Sequence, residues 1–342
     1  MRPTVHDIAE AAGVSLATVD RVLNRRPGVR TQTRAKVEDA IARIGFIRDM
    51  AAANLAKSRI YPLVFIVPQG ENSFMAGLRS EVEAAAGRSM QERIAIRLID
   101  VPAFDAAALV KCLESLLEIP PAGVAVVAVD APEVHAAIER LRETGTIVVT
   151  LVSDLPAALR DHFAGVDNVA AGRTAGRLMG RFLAGRQGKV AVIAGSMLVG
   201  DHRDRLEGFR ERLHDIAPSL QILPVMESHD DPNAAHALVA DTLSDHPNLA
   251  GIYNLGAGNR GLVKALEARR HAAGVPVTIV HELTPFTREA LQTGLIDAVL
   301  NQDAGHEVRS AIRVLKARID GQPVVAAQER IRIDIFLKDN LP

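Results

Sequence analysis

Thr4-Val5-His6-Asp7-Ile8-Ala9-Glu10-Ala11-Ala12-Gly13-Val14-Ser15-Leu16-Ala17-Thr18-Val19-Asp20-Arg21-Val22-Leu23-Asn24 sets two short helical patterns on either side of a Gly-Val-Ser corner. That is the arrangement of a helix-turn-helix. Thr4 stands three residues before Asp7, as in a capping box, and Ser15 can accept from the free amides that open a second helix. Val5, Ile8, Ala9 and Ala12 form one apolar stripe, and Val14, Val19, Val22 and Leu23 form a second that packs against it. So small a pair needs a third helix to close its core. Residues Thr31 to Ile44 supply one, with Val37, Ile41 and Ile44 at helical spacing. The reading is a headpiece that meets a DNA duplex.

Charge agrees. Residues 1–60 carry 11 Lys and Arg against 6 Asp and Glu, whereas the chain as a whole has 40 against 41. The other 282 residues are therefore acidic, at 29 against 35. A basic end on an acidic body is expected where only one small domain meets phosphates. At 342 residues and 48% hydrophobic, the chain has room for two or three globular domains. No stretch approaches the roughly 20 apolar residues of a membrane span. The N-terminus lacks the apolar run of a secretory signal, and the single cysteine, Cys112, suits the cytoplasm and reads as a small buried hydrophobe.

From Tyr61 onward, apolar runs alternate with amphipathic stretches. Strands are predicted at Leu63–Pro68, Ile94–Asp100, Gly123–Val129, Ile147–Val152, Lys189–Ala194, Gln221–Met226, Gly251–Asn254, Val277–His281 and Asp297–Leu300. Helices are predicted between and after them, among them Ala170–Ala184, Arg205–Leu213 and His306–Ile319. Continuously apolar strands are those of parallel sheets covered on both faces. The fold class is α/β, with two doubly wound sheets behind a small all-α headpiece and a ligand cleft beyond the carboxyl ends of the strands.

Asp7-Ile8-Ala9, Gly13-Val14-Ser15, Thr18-Val19, Arg21-Val22-Leu23-Asn24, Val29, Thr33-Arg34 and Val37, followed by Ala52, Leu55-Ala56, Gly165-Val166-Asp167-Asn168, Gly172, Arg205 and Gly208-Phe209, are residues the chain shares with a known pattern. It resembles the lactose-repressor (LacI/GalR) family of bacterial transcription regulators over essentially its whole length. The resemblance implies a headpiece at 1–48, a hinge helix and linker at 49–60, and a two-lobed type I periplasmic sugar-binding fold at 61–342. Lobe 1 would span about 61–165 and 301–325, and lobe 2 about 166–300 and 326–342.

In a helix-turn-helix the first residues of the second helix face base edges, here Leu16, Ala17 and Arg21. Leu16 and Ala17 offer apolar contact, as to a thymine methyl, and Arg21 can grip guanine bidentately. Thr4, Ser15, Thr18, Asn24, Arg30, Thr33 and Arg34 are candidates for phosphate contacts. Many family members have Ser where Asp20 stands. A carboxylate is repelled by phosphate, so Asp20 is expected to pair with Arg21 or Arg25 or to accept from a cytosine amino group. Arg48-Asp49 replaces the family's usual Pro-Asn before the hinge, while Met50–Ala56 stays alanine-rich. The resemblance implies that Ala52 and Leu55 enter the minor groove there, as a leucine wedge.

By the same resemblance, Asn72, Phe74, Ser153, Asp154, Arg205, Asn254, Gly256, Glu282 and Gln302 are the effector-binding candidates. Carbohydrate hydroxyls both donate and accept, which suits this set, and aromatics at 3% leave a polyol, sugar acid or phosphorylated sugar open as well. Asp167-Asn168 reads as a helix cap. The expected protein is a homodimeric, ligand-responsive repressor on a palindromic operator, with neither cofactor nor metal.

An NAD(P)-binding alternative rests on Gly256-Ala257-Gly258-Asn259-Arg260-Gly261, a G-x-G-x-x-G after a strand with Glu282 ending the next. Against it, the motif sits at the seventh body strand and no catalytic domain follows. His281-Glu282 and His306-Glu307 lack the second histidine of a zinc protease helix, and no G-x-S-x-G or P-loop occurs, so no enzyme is expected.

Overall fold

The computed structural model describes residues 3–24, 26–46, 60–89, 93–273 and 275–342. It divides into two compact units, Met1–Arg59 and Ile60–Pro342. Ala52 and Leu55, with Arg25, Arg48, Asp49 and the rest of Met50–Ala56, lie outside the described residues.

The first unit holds α1 (Val5–Ala12), α2 (Leu16–Leu23) and α3 (Thr31–Ile44). Thr4 and Asp7 close a reciprocal capping box on α1, and Gly13, at φ 63°, ends it in the left-handed region that a glycine adopts without strain. Ser15 accepts from the Thr18 amide to start α2. Ile8, Val19, Val22, Val37 and Ala40 form the buried core. Val5, expected in the apolar stripe, is 40% exposed, because Ile8 alone of that helix reaches the centre. The Arg43 guanidinium donates to Ala11 O at 2.8 Å and ties α3 to the end of α1.

The second unit contains two sheets. The first comprises β1 (Tyr61–Gln69), β2 (Ile94–Pro102), β3 (Gly123–Val126), β4 (Ile147–Leu151) and β5 (His162–Ala164), in the order β2-β1-β3-β4-β5 and wholly parallel. Helices α4 (Ser73–Ser89), α5 (Ala106–Ser115) and α6 (Pro132–Glu143) cover it. Leu78 and Val82 pack on the Leu63, Phe65 and Val67 face, and Leu109, Leu113 and Ile138 on the Val64 and Ile66 face. Alternate residues of one strand thus serve opposite cores, which is why β1 is apolar throughout.

The second sheet comprises β6 (Gly188–Ala194), β7 (Leu220–Ile222), β8 (Met226–Glu227), β9 (Gly251–Asn254), β10 (Val277–His281), β11 (Ala298–Asn301) and β12 (Asp334–Phe336). The order is β12-β11-β10-β9-β6-β7, with β8 continuing the β7 edge of β6. Helices α7 (Asn168–Phe182) and α8 (Gly200–Ile216) cover one face; α9 (Pro232–Asp245), α10 (Asn259–Ala273) and α11 (Pro285–Thr293) cover the other. α12 (Ala304–Ile319) returns to the first sheet, where Val308, Ala311 and Val314 join its core, before the chain crosses back to β12.

The expected strand Gln221–Met226 is two short pieces, because Pro224 cannot donate to the ladder. β5 and β12, three residues each, were not expected. α8 begins at Gly200 instead of Arg205, so Arg205 lies in its second turn. No helix among the described residues is long and apolar enough to cross a membrane.

Candidate functional site

The first candidate surface is α2. Val19 and Val22 turn into the core, which leaves Leu16, Ala17, Asp20 and Arg21 on the outward face. Leu16 is 43% exposed. Thr4, Ser15 and Arg30 are exposed, and Thr18, Asn24, Thr33 and Arg34 are half-buried. The Thr4 hydroxyl donates to Asp7, and Ser15 and Thr18 share a hydroxyl contact at 2.9 Å. Asp20 pairs with Arg26 at 3.2 Å, and Asn24 Nδ2 donates to its carboxylate at 2.6 Å and to its carbonyl at 2.9 Å. Arg21 is not the Asp20 partner that the sequence suggested, since Asn24 and Arg26, four and six residues on, reach it instead. The Asn24 amide, a phosphate candidate, is spent on Asp20.

The second candidate site is a cleft of about 210 Å³ where the carboxyl ends of both sheets meet. In the second sheet the chain runs one way from β6 to β7 and the other way to β9, so the cleft lies at a reversal of strand order, where ligands enter α/β sheets. Asn72, Phe74, Ser153, Arg205, Gly256, Glu282 and Gln302 all line it. Asp154 and Asn254 do not. The Asp154 carboxylate is held by both Arg160 Nε and Nη2 and by the Thr150 hydroxyl. Asn254, fully buried, donates to Ala257 O at 3.0 Å and Asn259 Oδ1 at 2.7 Å, supporting the loop from beneath.

Arg205 is the buried centre. It is 3% exposed, with Nε donating to Asn168 Oδ1 at 2.8 Å and Nη1 to Leu255 O at 2.9 Å. Asn168 in turn donates to Val152 O of the first lobe at 3.3 Å. Asp167 caps α7, so the two neighbours divide the roles of cap and guanidinium anchor. The anchor needs α7 and α8 in near contact: a Cβ on Gly172 would stand 2.0 Å from Arg205 O, and one on Gly208 2.1 Å from Val169 O. Gln302 Nε2 donates to Glu282 Oε1 at 2.9 Å. Burial pushes the Glu282 carboxyl up to about 7, against the opposing pull of Arg205 and of the Gln302 bond. Behind it, fully buried Glu307 is held well above the ordinary range by burial and by Glu282. His281, hydrogen-bonded to Tyr253 at 2.8 Å, is kept neutral by the same desolvation.

Sequence reasoning missed several lining residues. Asp201 and His202 open α8, Phe104 follows β2, and Asp230 follows β8. Asp230 accepts from Asn72 Nδ2 at 2.7 Å across the cleft and from the Ala257 amide at 3.1 Å. Gly200 N donates to Ser153 Oγ at 3.2 Å, a further bridge between the lobes, and Arg203 pairs with Asp130 as another. Arg260 stacks on Phe286, 4.7 Å from its centroid. Five of the six non-glycine residues with positive φ among those described, Phe104, Val152, His229, Asp230 and Glu282, line this cleft. Each such conformation costs on the order of 1–3 kcal/mol, and strain of that kind gathers at functional sites.

The glycines of the G-x-G-x-x-G have packing duties. A Cβ on Gly256 would meet Gly195 N at 2.6 Å, and one on Gly261 would meet Pro232 O at 1.8 Å, where α10 crosses the start of α9.

A profile described as bacterial regulatory proteins, lacI family, matches residues 4–49, and one described as periplasmic binding protein domain matches residues 63–323. The catabolite control protein A of Priestia megaterium is 38% identical over 86 residues, 25% of this chain and 26% of that protein. The HTH-type transcriptional regulator DegA of Bacillus subtilis is 24% identical over 217 residues, 63% of this chain and 62% of that protein. The matched region thus spans about a quarter of one curated relative and under two thirds of the other. An ABC transporter solute binding protein from Burkholderia graminis, solved with D-arabinose, superposes with a TM-score of 0.74 at 23% identity, over 82% of this chain and 96% of that one.

Proposed function

The chain belongs to the lacI family of bacterial regulatory proteins and carries its periplasmic binding protein domain, and from that premise we propose a sequence-specific transcriptional regulator, a repressor, whose operator affinity is set by a small carbohydrate-like effector. Residues 1–48 bind DNA, residues 49–60 couple, and residues 61–342 bind the effector and dimerise. The observation that carries the reading is α2, where Val19 and Val22 are buried while Leu16, Ala17 and Arg21 face outward as a compact base-reading edge. Arg30, Thr33 and Arg34 approach phosphates from α3, and Ala52 and Leu55 serve the minor groove. One headpiece reads too few base pairs to select a site, so the operator is palindromic and the protein acts on it as a homodimer in the cytoplasm.

The cleft holds the effector. The bound sugar of the solute binding protein supports that reading, as do Arg205, Glu282 and Gln302 converging with Phe74 on one cavity. The volume, below the roughly 300–1,000 Å³ of drug-sized sites, fits a monosaccharide. No bond-making chemistry is assigned to the site. Because effector and DNA are coupled through one free energy, DNA weakens effector binding by the same factor. Fluorescence anisotropy on duplexes selected from a random pool tests the proposal. An inverted repeat should be preferred over random duplex, and a sugar should lower that affinity. Equal binding to both duplexes refutes it.

A further inference from the structure

Resting on the reading of the cleft as the effector site, we infer that its ligand is an uncharged, hydroxyl-rich molecule and that sugar phosphates and sugar acids are excluded. Four buried polar atoms on the cleft have no partner among the described residues: Arg205 Nη2, Glu282 Oε2, Gln302 Oε1 and Asp201 Oδ1. Their residues are between 3% and 9% exposed. Buried polar groups need partners, and once the Glu282 carboxyl has ionised, above about pH 7, one donor nitrogen with three acceptor oxygens specifies a ligand that gives more hydrogen bonds than it takes. Hydroxyls meet that demand. Phosphate and carboxylate oxygens only accept, and three of the four positions offer them nothing.

Two features work against the usual routes to an anion. The guanidinium of Arg205 has Nε on Asn168 and Nη1 on Leu255 O, so its side-on fork of Nε and Nη2 is closed to a bidentate grip. Helix N-termini commonly hold phosphates, but three at this cleft are capped by their own chain, and at a fourth, α8, the Gly200 amide is taken by Ser153 Oγ and the Asp201 carboxylate stands in the first turn. Asn72 Oδ1 takes the Phe74 and Met75 amides of α4, Asp231 takes the Asn233 and Ala234 amides of α9, and Thr284 takes the Thr287 amide of α11. An anion would also face the Asp201 and Asp230 carboxylates at short range in a partly desolvated site.

Calorimetric titration of the full-length protein at pH 8, where Glu282 is ionised, tests this with neutral probes, D-arabinose, D-glucose, D-galactose and D-sorbitol, beside glucose 6-phosphate, galactose 6-phosphate, gluconate and galacturonate. At least one neutral probe should bind, and its charged counterpart should bind about 100-fold or more weakly. A phosphate or acid that equals or exceeds its neutral parent overturns the inference. Silence of the whole panel instead removes the effector reading beneath it. In the double variant Asp201→Asn, Glu282→Gln, the neutral-to-anion ratio should shrink by about 10-fold or more. An unchanged ratio, in protein whose melting curve confirms folding, shows that these carboxylates do not set the preference and overturns it too.

Discussion

Glu282→Gln isolates the energetics of the cleft in one near-isosteric change. The folded carboxyl titrates at about 7 against an ordinary 4.5. Between those values the folded chain keeps a proton that the unfolded chain has released. The stability this confers is complete below pH 4.5 and is lost as the pH rises through 7. The whole separation is worth about 3 kcal/mol, of which about a quarter has been lost by pH 5. Glutamine cannot ionise, Gln302 Nε2 can still donate to its oxygen, and the penalty disappears. At roughly 2 °C per kcal/mol for a body of this size, the variant should melt about 6 °C above the parent at pH 8 and within about 2 °C of it at pH 5. Differential scanning calorimetry over that range reads the difference directly. A gap that does not change with pH would show that Glu282 ionises in the ordinary range. A variant that falls below the parent as pH rises would make the ionised carboxylate an anchor for Arg205, and the reasoning would fail.

Arg21→Ala should relax sequence preference by about 1–3 kcal/mol at the bases it reads, whereas Arg34→Ala should weaken all duplexes alike and flatten the salt dependence by about one charge; parallel anisotropy series at several salt concentrations separate the two. Asp20→Ala should strengthen binding to every duplex, because it removes an anion beside phosphates and releases Asn24 and Arg26, with a stability change under about 1 kcal/mol given the exposed pair. Weaker binding to all duplexes would contradict this. Gly172→Ala forces a Cβ against Arg205 O and should cost about 1–3 kcal/mol in thermal or urea unfolding, with loss of effector affinity because α8 carries the guanidinium. Retention of both would mean that the α7–α8 contact is not what seats Arg205.

Local chemistry made the headpiece readable in advance. Thr4 and Asp7, and Ser15 and Thr18, are three residues apart, so their caps need no knowledge of the rest of the chain. β9 and β10 match their expected bounds to the residue, since short apolar runs ended by polar residues leave little choice. By contrast, β5 and β12 are three residues long and exist through their pairing with β4 and β11. No pattern of three residues announces such a strand. Asp154 follows a strand just as Ser153 does, yet Arg160 and Thr150 take its carboxylate, a competition visible only once the chain has turned back on itself.

The amino-acid order alone settled what depends on periodicity and near neighbours: three short helices, alternating strand and helix, and strand ends as the source of a site. Tertiary structure alone decided which polar groups share the cleft and which are spent elsewhere. Asn72 meets Asp230 across 158 positions of sequence, and Asn168 meets Arg205 across 37. The reason is that burial, not identity, sets what a polar side chain does: enclosure raises the Glu282 carboxyl and leaves Arg205 Nη2 without a partner among the described residues, and enclosure is a property of the packed fold.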